Sequence, residues 1–257
     1  MRRRSFLQLS AGVLAGAGRR AHARDGGTFV LVHGAWHGAW CWQRLLPLLG
    51  ARGYQAHGPT LAGVGERINE LSAAIVLDTH IGDVVALLEA RDLWNVILVG
   101  HSYAGAVITG VADRVPQRLK ALVFLDAVIV GHGGCMRLPG PEPQRPVAIP
   151  PPPAASFGIP DPGDCAWVQR NLTPHPARSF ESPLVLGNPI GNGLDCAYIA
   201  CTRPVTMSHG PFQQIARSLG GRLFELATGH DAMVTAPGEL AELLEHIAQG
   251  RQIAQGR

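Results

Sequence analysis

Residues 96–105 read VILVGHSYAG, a run of apolar side chains that leads into Ser102. A buried strand that turns at once into a helix holds out the side chain at the turn, and a serine there is a nucleophile elbow. The turn is tight, so the residues two positions either side of the nucleophile must be small. Gly100 and Ala104 meet that condition, although the usual pattern has glycine where Ala104 stands, and here Gly105 follows instead. A serine hydroxyl is a weak nucleophile near neutral pH and needs a neutral imidazole within hydrogen-bond reach. Of eleven histidines, His230 alone follows an apolar strand near the C-terminus, Leu223–Ala227, through Thr228 and Gly229. His33, His37 and His101 are read as structural or pocket-lining.

Attack on an acyl carbon puts negative charge on the former carbonyl oxygen, which preorganised backbone N–H groups must receive. Tyr103, directly after the nucleophile, supplies one expected donor. The second is expected from Ala35, in the loop His33–Gly38 that follows the first apolar run.

The base needs a carboxylate to accept its other ring N–H, fix its tautomer and stabilise the imidazolium that forms. Hydrolases often draw this group from the loop after the last strand but one. Here that loop reads Cys201, Thr202, Arg203, Pro204, Val205, Thr206, with no carboxylate. Asp126 closes the preceding strand, Ala121–Leu125, and comes 24 residues after Ser102, so it is the expected third member. Asp231 is too close to His230 in the chain to aim at its ring, and Asp195 precedes its strand, at the wrong end of the sheet.

These residues must be positioned by a scaffold, and its elements are legible. Short apolar runs at Phe29–Val32, Tyr54–His57, Asn95–Val99, Ala121–Leu125, Ala197–Cys201 and Arg222–Ala227 alternate with segments of helical period. That alternation predicts an α/β chain with a mostly parallel sheet covered by helices on both faces. Asp78 is expected to cap a helix with Ile81, Val84, Val85 and Leu88 on one face. Further helices are expected over Ala104–Val111, near Phe212–Leu219, and around Leu240, Leu243, Leu244 and Ile247. Residues 136–163 are crowded with proline but interleaved with Phe157 and Ile159, and Trp167 follows, all of which need burial. Residues 127–195 are therefore read as a cap, inserted after the strand that ends at Asp126. Trp36, Tyr103, Phe157, Trp167 and Met207 are the candidates for an apolar pocket lining.

The run FVLVHGAWHGAWCW from Phe29 to Trp42, the GHSYAG elbow, and GHDAMVTAP from Gly229 to Pro237 resemble the α/β-hydrolase branch that holds plant methylesterases, hydroxynitrile lyases and related bacterial esterases. The resemblance covers residues 29 to about 247. It implies the α/β-hydrolase fold over residues 24–257, a cap-covered pocket, no cofactor, and hydrolysis of small or medium, largely apolar carboxylic esters through an acyl-enzyme. The placement of Asp126 is similar to that in some haloalkane dehalogenases, whose chemistry is excluded because Ser102 is not a carboxylate. Lyases of the branch carry a threonine in the first loop and a lysine just after the catalytic histidine. Gly34 and Asp231 stand there, and an aspartate would repel cyanide, so hydrolysis is favoured over cyanohydrin cleavage. A ligand-binding protein of the same fold with little turnover is the third reading, because fold does not decide function.

Composition bounds the rest. The chain has 257 residues and 46% hydrophobic side chains, enough for one catalytic domain. Arg2, Arg3, Arg4, Ser5, Phe6 and Leu7, a short apolar run from Leu9 to Gly18, and Ala21-His22-Ala23 resemble a twin-arginine export signal cleaved after Ala23. The exported protein is expected in the periplasm or outside the cell, and the run is too short to anchor it in a bilayer. Residues 1–23 hold five arginines and no acid, so removing them turns the net +3 into −2 and leaves no nucleic-acid footprint. Five scattered cysteines form no metal-ligand spacing and no disulfide framework; Cys135 with Cys165 is the one pair placed to bridge, and buried or idle thiols are the favoured reading. The expected partner is a small-molecule ester, with no metal required.

Overall fold

The computed structural model describes residues 27–137, 146–205 and 210–250; the candidate export segment and Met207 lie outside them. In chain order the elements are β1 (Thr28–Val32), α1 (Leu45–Ala51), β2 (Gln55–His57), α2 (Leu77–Ala90), β3 (Val96–His101), α3 (Ala104–Arg114) and β4 (Leu119–Leu125). There follow β5 (Ala148–Ile149), α4 (Pro162–Asn171), β6 (His175–Pro176), α5 (Ala177–Glu181), β7 (Asp195–Cys201), α6 (Gly210–Ser218), β8 (Arg222–Leu226), α7 (Ala232–Thr235) and α8 (Pro237–Ala248).

Six strands form one sheet in the order β2-β1-β3-β4-β7-β8, parallel at every pairing. Their sequences are apolar on both faces because both faces are covered. Val30, Val32, Val96 and Leu98 pack with α2 and α3, while Phe29, Leu31, Ile97 and Val99 pack with α1 and α8. Cys196 and Cys201 likewise fall on opposite faces of β7, as their odd spacing requires. The chain runs from β1 outward to β2, then returns to place β3 on the other side of β1. The loops leaving β1 and β3 therefore diverge, which opens a crevice at the carboxyl ends of the strands.

One local expectation is corrected. Asp78 lies in the first turn of α2 and not at its cap, and it pairs with Arg114 of α3 across the helix interface. Cys135 and Cys165 are both free, in line with the favoured reading of idle thiols, the first lying at the crevice and the second on α4.

Between β4 and β7 the chain leaves the sheet. β5 and β6 pair antiparallel, and α4 is capped by Asp161, whose side chain accepts from Asp164 N–H at 2.7 Å. Phe157 and Ile159 are buried, so the proline-rich segment folds back onto the sheet layer and is not a free linker.

Candidate active site

β3 delivers Ser102 as expected. Its φ is +54°, a left-handed conformation that a serine adopts only when the surroundings hold it. The hold is visible: Ser102 N–H donates to Leu125 O at 3.1 Å, and Ser102 O accepts from Gly105 N–H at 3.2 Å and Val128 N–H at 3.1 Å. A Cβ on Gly100 would lie 2.7 Å from Ala104 O, and one on Gly105 would lie 2.0 Å from Val128 O. Both glycines are closed in by backbone, Gly100 against Ala104 and Gly105 against the chain leaving β4, so neither position admits a side chain without a shift.

The strand ends of β4 and β8 bring the other two residues together. His230 Nδ1–H donates to Asp126 Oδ2 at 2.5 Å, with the carboxylate fully buried. Asp126 is itself fixed: its Oδ1 accepts from Cys201 N–H at 2.8 Å and its N–H donates to Ile199 O at 2.7 Å. This orientation leaves His230 Nε2 as the acceptor nitrogen. His230 N–H donates to Phe157 O at 2.8 Å, and a Cβ on Gly229 would lie 2.2 Å from Gly158 O, so the insertion presses backbone to backbone on the base loop. Among the described residues no hydrogen bond joins Ser102 Oγ to His230, and unliganded sites of this kind are commonly loose at that contact.

Ser102, Ala35 and Tyr103 line one cavity of about 500 Å³. Among the described residues neither Ala35 N–H nor Tyr103 N–H meets a protein acceptor, which leaves both for a bound oxyanion. Trp36 is part of the wall, at φ +66°, and the insertion grips it three times. Trp36 Nε1–H donates to Ile149 O at 3.1 Å, Trp36 N–H to His175 Nδ1 at 3.4 Å, and Trp36 O accepts from Thr173 N–H at 3.0 Å. The Tyr103 hydroxyl turns away from the cavity and donates to His80 Nδ1 at 2.7 Å.

The remaining described candidates fall outside the lining. Phe157 does not line the cavity; it is buried and stacked on His230 with ring centroids 6.0 Å apart. Trp167 does not reach the pocket; it packs edge-on against Trp40 and under the Arg44 guanidinium. The rest of the lining is Val128, Ile129, Val130, Gly131, Cys135 and Met136 after β4, with Phe180 and Phe212. These residues have no period to read, because each comes from irregular chain or a short helix whose place is set by tertiary contacts. Among the described residues no charged side chain lines the cavity.

The loop histidines are structural, as expected for His33 and His101. Burial pushes His33 down to about 3, and its Nε2 accepts from Leu61 N–H. Burial, reinforced by the neighbouring His230, holds His101 well below the usual histidine range, and its Nε2–H donates to His230 O at 3.0 Å. A Cβ on Gly34 would lie 2.8 Å from His101 Nδ1 and 3.0 Å from Ser102 Cβ, so the lyase threonine has no room here. Asp231 departs from expectation. Its carboxylate does not face the cavity where it would repel an anion; it is fully buried and bonded to His37 Nε2 at 3.1 Å.

Comparison with known proteins places this geometry. A model described as "Alpha/beta hydrolase family" matches residues 29–243. The carbendazim hydrolyzing esterase of Nocardioides sp. (strain SG-4G) is 37% identical over 243 residues, 84% of this chain and 97% of that protein. The alpha-hydroxynitrile lyase of Arabidopsis thaliana is 38% identical over 102 residues, 39% of this chain and 40% of the lyase. Among solved structures, an extracellular alpha/beta-hydrolase from a Paenibacillus species, described as sharing structural and functional homology with tobacco salicylic acid binding protein 2, superposes with a TM-score of 0.72 at 25% identity, covering 85% of this chain and 97% of that one.

Proposed function

Because this chain belongs to the alpha/beta hydrolase family, we propose that it is a serine carboxylic-ester hydrolase working through an acyl-enzyme, with Ser102 as nucleophile, His230 as base and Asp126 as its orienting carboxylate. The observation that carries this reading is the 2.5 Å bond from His230 Nδ1 to Asp126, beside a strained Ser102 that shares one cavity with two unspent N–H groups. His230 Nε2 takes the Ser102 proton as Oγ attacks the acyl carbon, and Asp126 stabilises the imidazolium formed. Ala35 N–H and Tyr103 N–H receive the oxyanion. The imidazolium then protonates the departing alcohol, and a water activated the same way releases the acid.

The lining of Trp36, Ile129, Val130, Met136, Phe180 and Phe212 supports neutral, largely apolar esters, with the insertion over residues 127–195 serving as the cap. The relative named as a carbendazim hydrolyzing esterase adds carbendazim to the substrates worth assaying. Gly34, closed against His101 and Ser102, argues against cyanohydrin cleavage. Export through the twin-arginine-type segment belongs to the same reading, supported by the extracellular Paenibacillus relative. Among the described residues no helix is long and apolar enough to cross a membrane.

The test is a pre-steady-state assay with a nitrophenyl acetate. A burst of chromophore equal to the enzyme concentration, lost in Ser102→Ala, is the expected result. A ligand-binding protein would give no burst in either form, and a full-sized burst from Ser102→Ala would overturn the nucleophile.

A further inference from the structure

His37 is held in a manner unlike the other histidines around the site. Its Nδ1 lies 2.7 Å from Ala35 O and its Nε2 lies 3.1 Å from Asp231 Oδ2. Ala35 O only accepts, and so does the Asp231 carboxylate while it is ionised, the form its lowered pKa favours, so both ring nitrogens donate, and a neutral imidazole carries a single N–H. The ring is therefore an imidazolium, and it is buried with its carboxylate at 1% and 0% exposure. A desolvated cation needs such a partner. It also stacks on the face of Trp40, with ring centroids 5.2 Å apart.

The two ends of this pair belong to the two loops that matter most. Ala35 offers its N–H to the cavity and its C=O to His37, so the bond to His37 sets the direction of the residue that would carry the oxyanion donor. Asp231 follows His230 directly, and its backbone carbonyl accepts from Val234 N–H at 2.8 Å and Thr235 N–H at 3.0 Å, which anchors the base loop to α7. Trp36, next to Ala35, sits at φ +66°, a conformation that relaxes unless the neighbouring peptides are held.

We propose that His37 and Asp231 are positioning residues: a buried imidazolium–carboxylate pair that ties the oxyanion loop to the base loop, so that Ala35 N–H and His230 keep one mutual geometry. The proposal rests on the reading of this site as an acyl-transfer centre. With both ring nitrogens engaged, His37 cannot act as a base. It works through Ala35, and Asp231 works through His37.

The other groups facing the pair are consistent with this. His101, edge-on to His37 at 6.0 Å between centroids, has spent its Nε2–H on His230 O. Burial holds His33, His101 and His175 neutral, and it pushes the Cys41 thiol up with Asp231 and Glu66 adding to the effect. Glu66 approaches the same loop at Gly38, and His230 is turned to Asp126. Burial opposes charge on His37 and on Asp231, yet each outweighs that penalty in the other: His37 is raised and Asp231 lowered from their ordinary values.

The experiment uses the whole chain, wild type, Asp231→Asn and His37→Gln, with steady-state kinetics on a soluble nitrophenyl ester, thermal melts and ring-¹⁵N histidine spectra. The expected spectrum has one imidazolium with two protected N–H signals persisting above pH 6.5, where an ordinary histidine loses its proton, and absent from both variants. In the folded variants kcat is expected to fall about 10- to 100-fold while KM stays within about threefold, because misplaced groups cost turnover more than binding. Should Asp231→Asn not fold, His37→Gln carries the same readouts. The proposal is overturned if the wild-type His37 ring is neutral at pH 7, or if a folded variant that has lost the imidazolium keeps its kcat. If Ser102→Ala is fully active while the imidazolium persists, the acyl-transfer reading fails instead.

Discussion

Two histidine–aspartate pairs meet at a single dipeptide. His230 and Asp231 are adjacent in the chain, yet His230 reaches across to Asp126 at 2.5 Å, while Asp231 turns the other way to His37 at 3.1 Å. Asp126 comes from the end of β4 and is fixed by Cys201 N–H; His37 comes from the loop after β1 and is fixed by Ala35 O. The pairs are alike in chemistry and burial but differ in the second ring nitrogen. His230 keeps Nε2 without a protein partner among the described residues, so it can take and return a proton. His37 has none to spare, so its charge can only hold structure. On the proposed reading, one pair acts on the substrate and the other on the loops.

The sharpest test of that division removes the first pair's partners. Ser102→Ala and His230→Ala are each expected to lower ester turnover by about 10⁴- to 10⁶-fold with folding nearly intact. Retention of a tenth of the activity with an unchanged melting curve would dissolve the assignment. Asp126→Asn should keep the packing but favour the wrong tautomer of His230, at a cost of about 10³- to 10⁴-fold in kcat. Near-native turnover in that variant would leave a Ser-His dyad and erase the contrast between the pairs.

The second pair should instead show itself in stability. His37 is raised above its ordinary 6.5, so its contribution is full below that value and is lost as pH rises through the folded value. Asp231 is lowered below its ordinary 3.8, so its contribution is full above that value and is lost as pH falls through the folded one. Breaking the pair is therefore expected to cost most between pH 3.8 and 6.5, and less on either side. Removing one partner of a buried pair costs about 3 to 5 kcal/mol, so chemical denaturation of Asp231→Asn across that range will read it directly. A destabilisation that ignores pH would mean that packing, and not charge, holds the two loops.

The smallest effect concerns the cavity that both pairs serve. Phe180→Ala enlarges a wall that is uncharged among the described residues and is expected to shift kcat/KM toward bulkier neutral acyl groups by about tenfold. Esters bearing a free carboxylate should remain poor substrates in both forms, and equal turnover of charged and neutral esters would show that the lining does not set preference.

Much of the reactive geometry was legible in the chain itself. The strand before Ser102, the small residues around it, the histidine after the last strand, and the absence of a carboxylate in residues 201–206 are local facts, and they led to Asp126 by its position at a strand end. The topology followed from the alternation of apolar runs and helical segments, since a parallel sheet must be covered on both faces. Trp167, by contrast, was legible as a residue that needs burial but not as one that packs on Trp40 away from the pocket. Phe180, Met136 and Ile129 stand in the wall through tertiary contacts of an aperiodic insertion. The role of Asp231 lay further out of reach. Adjacent residues in a loop can point in opposite directions, and what each one meets depends on chain 194 residues away, where His37 stands. Residue type and strand order determine which groups can do chemistry, whereas the partner that each buried polar group finds is decided only when the loops close over one another.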